Sequence, residues 1–169
     1  KIAFDLSEEY DTPVLFRTCT RIAHSQCAVE ELEPKKIDNK EYVKNPQKYI
    51  MAPANAIRRH PFVEKRTADL VSFAETSTLN RIEWAEDLSV GIITSGTSYD
   101  YVKEVLGDSV SVLKLGLVNP LPVEIIKEFA AKVKRVIVIE ELDPVIENHC
   151  KALGINVDGK NILPICGEF

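Results

Sequence analysis

The sequence lacks the short motifs by which metal, nucleotide and hydrolase sites are usually recognised. Its four cysteines form no CxxC pair, so their spacing predicts neither a zinc knuckle nor an iron–sulfur loop; they are Cys19, Cys27, Cys150 and Cys166. GxGxxG, GxxxxGK[ST] and GxSxG are absent as well. The residues alone therefore indicate reduced thiols and no assignable metal ligands.

Long apolar runs and an excess of positive charge are also missing. No apolar run approaches the ~20 residues that a membrane-spanning helix requires, and no signal-peptide pattern is present. The net charge is -5, with acidic and basic residues interspersed, which argues against a nucleic-acid or anionic membrane surface. We therefore expect a soluble, cytoplasmic protein without nucleic-acid or membrane partners.

Three short apolar runs organise the chain: SVGIITSG, SVSVLKLG and RVIVIEE. They are rich in Val and Ile and lack a polar stripe, which predicts that Val90–Thr94, Ser111–Leu115 and Val136–Ile139 are strands covered on both faces. Helical periodicity fills the gaps, at Ser98–Leu106 and Pro122–Val133. The pattern predicts an α/β fold with a mainly parallel, three-layer sheet and right-handed crossovers.

The flanking segments predict a partial second domain and a linker. The first residues, to about Asp11, have the pattern of a helix, and the β-branched segment Val14–Ile22 predicts a strand that pairs with another chain or with the sheet of its own chain. Charged, proline-containing residues follow, with an amphipathic helix predicted at Pro61–Thr76.

The C-terminal part of the sequence predicts a further helix. Pro144 is expected to open it and Gly154 to end it. Because Pro164 lies within the last apolar run, Ile162–Ile165 is expected to be at most an edge strand. Trp84 is expected to pack at the rim of the central unit.

Two groups of residues are candidates for binding or catalysis. Ser95, Gly96 and Thr97 lie between a predicted strand and helix, where backbone N–H groups can bind an anion; the alternative is a turn whose hydroxyls cap the helix. Arg21 and His24 could bind a carboxylate or phosphate, or serve a structural role.

Glu140 and Glu141 end a predicted strand at the edge where α/β proteins place ligands. Neighbouring strand residues point to opposite faces, so the two carboxylates do not form an acid–base pair. A contact with a helix or with the linker is the favoured interpretation.

Six stretches, taken in this order, resemble the large (alpha) subunit of archaeal-type indolepyruvate ferredoxin oxidoreductases. The resemblance covers nearly the whole chain, and the order and spacing of the stretches make it more specific than any one of them. They are SEEYDTPVLFRTCTRIAHSQ, KYIMAPANAIRRH, TLNRIEW, GIITSGTSYDYVKEVLG, VLKLGLVNPLPVEIIKEFA and VIVIEELDPVIE.

The resemblance implies a fragment of a thiamine-diphosphate-dependent enzyme. Such an enzyme oxidatively decarboxylates indolepyruvate and other aryl 2-oxo acids to acyl-CoA, with ferredoxin as electron acceptor. Its implied cofactors are thiamine diphosphate, magnesium and 4Fe-4S clusters, and its implied partners are the remaining domains of the alpha subunit, a beta subunit, ferredoxin and coenzyme A. The glutamate that activates the aminopyrimidine would lie upstream of Lys1, and the diphosphate-binding domain and cluster cysteines downstream of Phe169.

The same resemblance implies a domain organisation. Residues 1–24 would end a pyrimidine-binding thiamine domain, 25–87 would be a linker with a helix near 61–76, and 88–169 would form a domain similar to the C-terminal domain of transketolase. Two alternatives remain at this stage: a stand-alone α/β module that binds an anion or a nucleotide, and a purely structural interaction domain.

Overall fold

The computed structural model describes residues 2–34, 36–39 and 41–169. The chain divides into two compact units, Lys1–Val63 and Glu64–Phe169, and the boundary falls within a long helix. The helices of the described residues are α1 (Ile2–Tyr10), α2 (Thr20–His24), α3 (Pro46–Tyr49), α4 (Pro53–Thr76), α5 (Gly96–Leu106), α6 (Glu124–Lys132) and α7 (Val145–Ala152).

One mainly parallel sheet lies in the second unit, with strand order β1-β3-β2-β4-β5. The central strand β2 is parallel to both neighbours, and Ile92 pairs with Val112 on one side and with Ile137 on the other. The predicted parallel arrangement of the three apolar runs is therefore confirmed. The strands are β1 (Arg81–Glu83), β2 (Val90–Ser95), β3 (Ser111–Leu115), β4 (Arg135–Ile139) and β5 (Val157–Asp158).

Helices cover both faces of this sheet, which gives the three layers predicted from the sequence. On one face, Ile126 and Phe129 of α6 and Ile146 of α7 pack into a core that also contains the strand residues Ile93, Leu113, Val136 and Val138. On the other face, Val102 of α5 packs with Ile92 and Val112. Residues of β2 and β3 are buried on both faces, which explains why the runs carry no polar stripe.

Two glycines with positive φ follow helices of the second unit. Gly107 (φ 55°) caps α5 through a bond from its N–H to the Lys103 carbonyl, and Gly154 (φ 76°) follows α7. Both conformations favour glycine because a side chain is strained there. The predicted ends of these two helices are confirmed, and α7 begins directly after Pro144 as expected.

The edges of the sheet differ from the prediction. The short strand β1, which lies antiparallel to β3, was not predicted. At the opposite edge, Val157–Asp158 pairs with β4, whereas Ile162–Ile165 contains turns and bends instead of the edge strand that was considered. Pro164 lacks the N–H group that a strand needs, and the preceding backbone turns back through bonds from Ile162 and Leu163 to the Gly159 carbonyl.

The strand predicted at Val14–Ile22 is wrong. Residues 13–19 have no regular secondary structure, and α2 begins at Thr20. None of these residues is a strand of the sheet, and Leu15 is 88% exposed and Phe16 81% exposed. Alternating β-branched residues indicate a preference for a half-buried strand, but a strand forms only where a neighbour accepts its hydrogen bonds.

The helix predicted at Pro61–Thr76 begins eight residues earlier, at Pro53. Pro61 lies inside α4, although proline usually opens a helix. Proline removes one helical hydrogen bond, and a contact within the first unit supports the preceding turns: Arg59 donates to the Asp11 carboxylate at 2.5 Å. The same carboxylate accepts a hydrogen bond from Lys48 at 2.6 Å. The bond from Lys48 and then the bond from Arg59 make the largest contributions that lower the pKa of Asp11.

Candidate functional site

The turn at the carboxyl end of β2 carries the candidate residues Ser95, Gly96 and Thr97. Ser95 precedes the first residue of α5 in an extended conformation, and its side chain makes no capping hydrogen bond. Gly96 has a positive φ of 56°, and a Cβ atom there would meet no atom within 4 Å. There is therefore open space beside Gly96 at this helix N-terminus, the kind of position at which backbone N–H groups can bind an anion.

A buried threonine holds this turn against the sheet. The Thr94 hydroxyl donates to the Ile139 carbonyl at 2.8 Å, which links the carboxyl ends of β2 and β4. Thr94 is fully buried, so it supports the turn from inside the sheet and its hydroxyl is already used. Ser95 and Thr97 are half-buried and Gly96 is exposed.

Glu140 is a helix cap, and of the two contacts favoured from the sequence, with a helix or with the linker, the structure shows the contact with a helix. It is 7% exposed, and its two carboxylate oxygens accept the N–H groups of Ile146 and Glu147, each at 2.9 Å. These are N–H groups of the first turn of α7 that have no partner within the helix. Glu141 lies closer to the surface and accepts the N–H of Phe169 at 3.1 Å.

The two adjacent glutamates permit a matched comparison. We expect Glu140→Ala to lower the free energy of unfolding by about 1–2 kcal/mol, because it leaves two N–H groups at a buried helix end without an acceptor. Glu141→Ala removes the same charge nearby and should change that free energy by less than about 0.5 kcal/mol. Urea unfolding of both variants measures this; equal losses would show that Glu140 acts only through its charge.

Arg21 and His24 lie three residues apart on the short helix α2 in the first unit. Arg21 is half-buried and His24 is exposed. The structure thus brings these two candidates onto one helical turn, whereas Ser95, Gly96 and Thr97 belong to the second unit.

A polar cluster at the β1 edge escaped the sequence analysis. The Glu83 carboxylate accepts hydrogen bonds from Arg81 at 2.9 Å and from the Tyr99 hydroxyl at 2.8 Å, and Lys103 lies 3.1 Å away. Burial works against ionisation of Glu83, but these hydrogen bonds outweigh it and lower the pKa of the carboxyl to about 2. No local sequence spacing signals this cluster, because β1 itself was not predicted.

Comparison with known proteins identifies similar sequences. No family model matches the chain. Individual curated proteins do match it. The indolepyruvate oxidoreductase subunit IorA of Pyrococcus horikoshii is 36% identical over 97% of this chain, and IorA of Methanothermobacter marburgensis is 40% identical over 94% of it. The chain is thus similar to IorA subunits over nearly its whole length. It spans 28% and 27% of the lengths of these two relatives.

A solved structure agrees with the family. The 2-oxoglutarate:ferredoxin oxidoreductase of Magnetococcus marinus, solved with 2-oxoglutarate, coenzyme A and succinyl-CoA bound, is 27% identical to this chain. The similarity has a TM-score of 0.52 and covers 69% of this chain and 21% of that one. The resemblance stated from the sequence motifs is thereby confirmed, as is the fold class, an α/β domain similar to the C-terminal domain of transketolase.

The described part of the chain offers no cluster of metal-ligating side chains. Among residues 2–34, 36–39 and 41–169, no group of three or more His, Cys, Asp or Glu side chains is placed to hold a metal ion. All four cysteines are free, and burial raises the pKa of the Cys150 thiol to about 12. Within the same residues, no helix combines the length and apolar character needed to cross a membrane.

Proposed function

We propose that the chain forms part of a thiamine-diphosphate-dependent oxidoreductase that decarboxylates indolepyruvate and other aryl 2-oxo acids. In this proposal the products are acyl-CoA and reduced ferredoxin. The observation that carries it is the identity of 34–40% to IorA subunits over more than nine-tenths of the chain. Support for the ferredoxin-dependent class comes from the name of the similar Magnetococcus marinus enzyme.

The chain's own role in this proposal is structural. Residues 88–169 are the transketolase C-terminal-like domain, which packs against the remaining domains and shapes the entrance to the active site. Residues 1–24 end a pyrimidine-binding domain, and residues 25–87 are the linker. The exposed side chains of Leu15 and Phe16 support this assignment, because an exposed apolar segment of this kind suits the surface of another domain.

We infer from the proposed family that the cofactors belong to other parts of the parent enzyme. Among the described residues, no group of three or more His, Cys, Asp or Glu side chains is placed to hold a metal ion, and a 4Fe-4S cluster needs such a group of cysteine thiolates. In this proposal, thiamine diphosphate, magnesium, the clusters and the contacts with the beta subunit, ferredoxin and coenzyme A belong to the complete enzyme.

The substrate assignment is tested with the complete two-subunit enzyme. Purified enzyme supplied with thiamine diphosphate, magnesium, coenzyme A and ferredoxin should reduce ferredoxin with indolepyruvate at a kcat/KM at least tenfold above that with 2-oxoglutarate, a difference of about 1.4 kcal/mol in transition-state binding. A preference for 2-oxoglutarate would reject the aryl substrate but keep the enzyme class. Absence of reduction with every 2-oxo acid would reject the class.

Arg21 and His24 provide a separate test of the first unit. If α2 reaches the active site, Arg21→Ala or His24→Ala in the complete enzyme should lower kcat/KM about tenfold through loss of a charged or hydrogen-bonding contact. Arg17→Ala, an exposed arginine of the same segment, is the matched control and should retain wild-type kinetics. Unchanged kinetics in both test variants would assign Arg21 and His24 a structural role.

A further inference from the structure

An aromatic ring and two cations meet at the β1 edge of the sheet, on the face covered by α5. The Arg81 guanidinium carbon lies 5.0 Å from the centroid of the Tyr99 ring, and the Lys114 ammonium nitrogen lies 4.8 Å from the same centroid. Each contact is favourable on its own as a cation–π interaction. Together they hold two like charges close to one ring, which costs Coulomb energy unless an anion compensates it.

The register of the strands fixes this arrangement. Arg81 pairs with Lys114 across the antiparallel β1–β3 ladder, and Lys114 pairs with Thr94 across the parallel β2–β3 ladder. The three residues therefore form one row across the sheet near the carboxyl ends of β2 and β3. This is the edge at which open α/β sheets bind their ligands.

The charges of the cluster do not balance. Glu83 pairs with Arg81 and with Lys103, and Asp108, whose side chain is 97% exposed, also pairs with Lys103. Lys114 is half-buried, and no carboxylate within residues 2–34, 36–39 and 41–169 forms an ion pair with it. The Lys114 ammonium group is therefore partly desolvated, and no side chain of the cluster supplies a counter-ion for it.

We propose that Arg81, Tyr99 and Lys114 form a binding site for a phosphate group of a small-molecule ligand. Lys114 supplies the uncompensated positive charge, and the planar guanidinium of Arg81 supplies donors that match phosphate oxygens. Tyr99 positions both cations, and its hydroxyl, which donates to Glu83 and accepts from Arg81 at 3.0 Å, fixes the orientation of the guanidinium. The three cations Arg81, Lys103 and Lys114 exceed the two carboxylates Glu83 and Asp108 by one positive charge, which a phosphate group compensates.

The test is a titration of the 169-residue chain with inorganic pyrophosphate, followed by calorimetry at constant ionic strength. We expect saturable binding, and Lys114→Met should raise the Kd at least tenfold, as removal of a charge-assisted contact does. Methionine retains the length and the apolar stem of lysine. Lys127→Met is the matched control, because it removes the same charge from an exposed site on α6 and should leave the Kd unchanged.

A second variant and a second anion make the result decisive. Arg81→Gln should also weaken pyrophosphate binding. Because Arg81 is exposed, this variant can test the site even if Lys114→Met does not fold. Succinate should bind at least tenfold more weakly than pyrophosphate. The proposal is overturned if pyrophosphate does not bind saturably, if Lys127→Met weakens binding as much as Lys114→Met, or if succinate binds equally well, which would indicate a carboxylate-bearing partner.

Discussion

Replacing Gly91 with alanine is expected to lower the free energy of unfolding by about 2–3 kcal/mol, because the core has no room for one more carbon atom. A Cβ atom at Gly91 would lie 2.8 Å from Phe129 Cζ and 2.8 Å from Val133 Cγ2. Phe129 is fully buried and stacks on Trp84 with ring centroids 5.4 Å apart, so its ring cannot move away freely. The stack also confirms that Trp84 packs at the rim of the sheet unit.

A double-mutant cycle distinguishes this steric effect from others. Val133→Ala alone should destabilise the protein by creating a small cavity, but in the Gly91→Ala background it makes room for the new methyl group. The double variant should therefore be at least about 1 kcal/mol more stable than the sum of the two single losses predicts. Guanidinium unfolding measures all three variants; strict additivity would show that the two sites do not compete for the same space.

The second large effect is expected at Glu75, near the C-terminus of α4. Its carboxylate accepts the backbone N–H groups of Val123, Glu124 and Ile125 at 2.5, 2.9 and 2.9 Å, which caps α6 from another helix. Glu75→Ala should cost about 3 kcal/mol, because it removes three hydrogen bonds to a charged acceptor and leaves the N–H groups unsatisfied. Glu124→Ala, an exposed glutamate at the same helix end, is the control and should cost far less.

The same contact makes stability depend on pH. Burial disfavours the charged form of Glu75, but the bonds from Ile125, Glu124 and Val123 outweigh it and lower the pKa below the ordinary 4.5. Because the pKa of Glu75 is lower in the folded protein than in the unfolded chain, its ionised carboxylate stabilises the fold fully at pH values above the unfolded-state pKa. This stabilisation is lost as the pH falls through the folded-state pKa. The difference in unfolding free energy between wild type and Glu75→Gln should therefore be constant from pH 7 to 5 and shrink in more acidic solution. A difference that does not change with pH would contradict this.

The central sheet could be predicted because its signal is local. Val90–Thr94 and Val136–Ile139 are short and rich in β-branched residues, and none of these residues is exposed, so nothing outside the run is needed to recognise such a strand. The strand β1 could not be predicted in this way, since three residues, two of them charged, carry no apolar pattern. The prediction of a strand at Val14–Ile22 was wrong for the opposite reason. Its pattern is that of a strand, but none of the described residues of this segment pairs with a strand of the chain.

The polar contacts of Glu75 and Glu83 could not be predicted from the sequence, because their partners lie far away along the chain. Glu75 meets Ile125 across 50 positions of the chain, and Tyr99 meets Glu83 across 16. No periodicity connects such residues, because the sheet register and the packing of helices decide which side chains meet. Glu140 was predictable in part, since a carboxylate between a strand and a helix is a common cap, and the predicted helix contact proved correct.

The division of labour between this chain and its parent enzyme is tested most directly by one assay run on two samples. Indolepyruvate-dependent reduction of ferredoxin, together with iron content, is measured for the 169-residue chain and for the complete two-subunit enzyme, each supplied with thiamine diphosphate, magnesium and coenzyme A. We predict turnover and bound iron in the complete enzyme, and neither in the chain alone. Turnover or stoichiometric iron in the isolated chain would contradict the assignment of catalysis and cofactors to the rest of the enzyme.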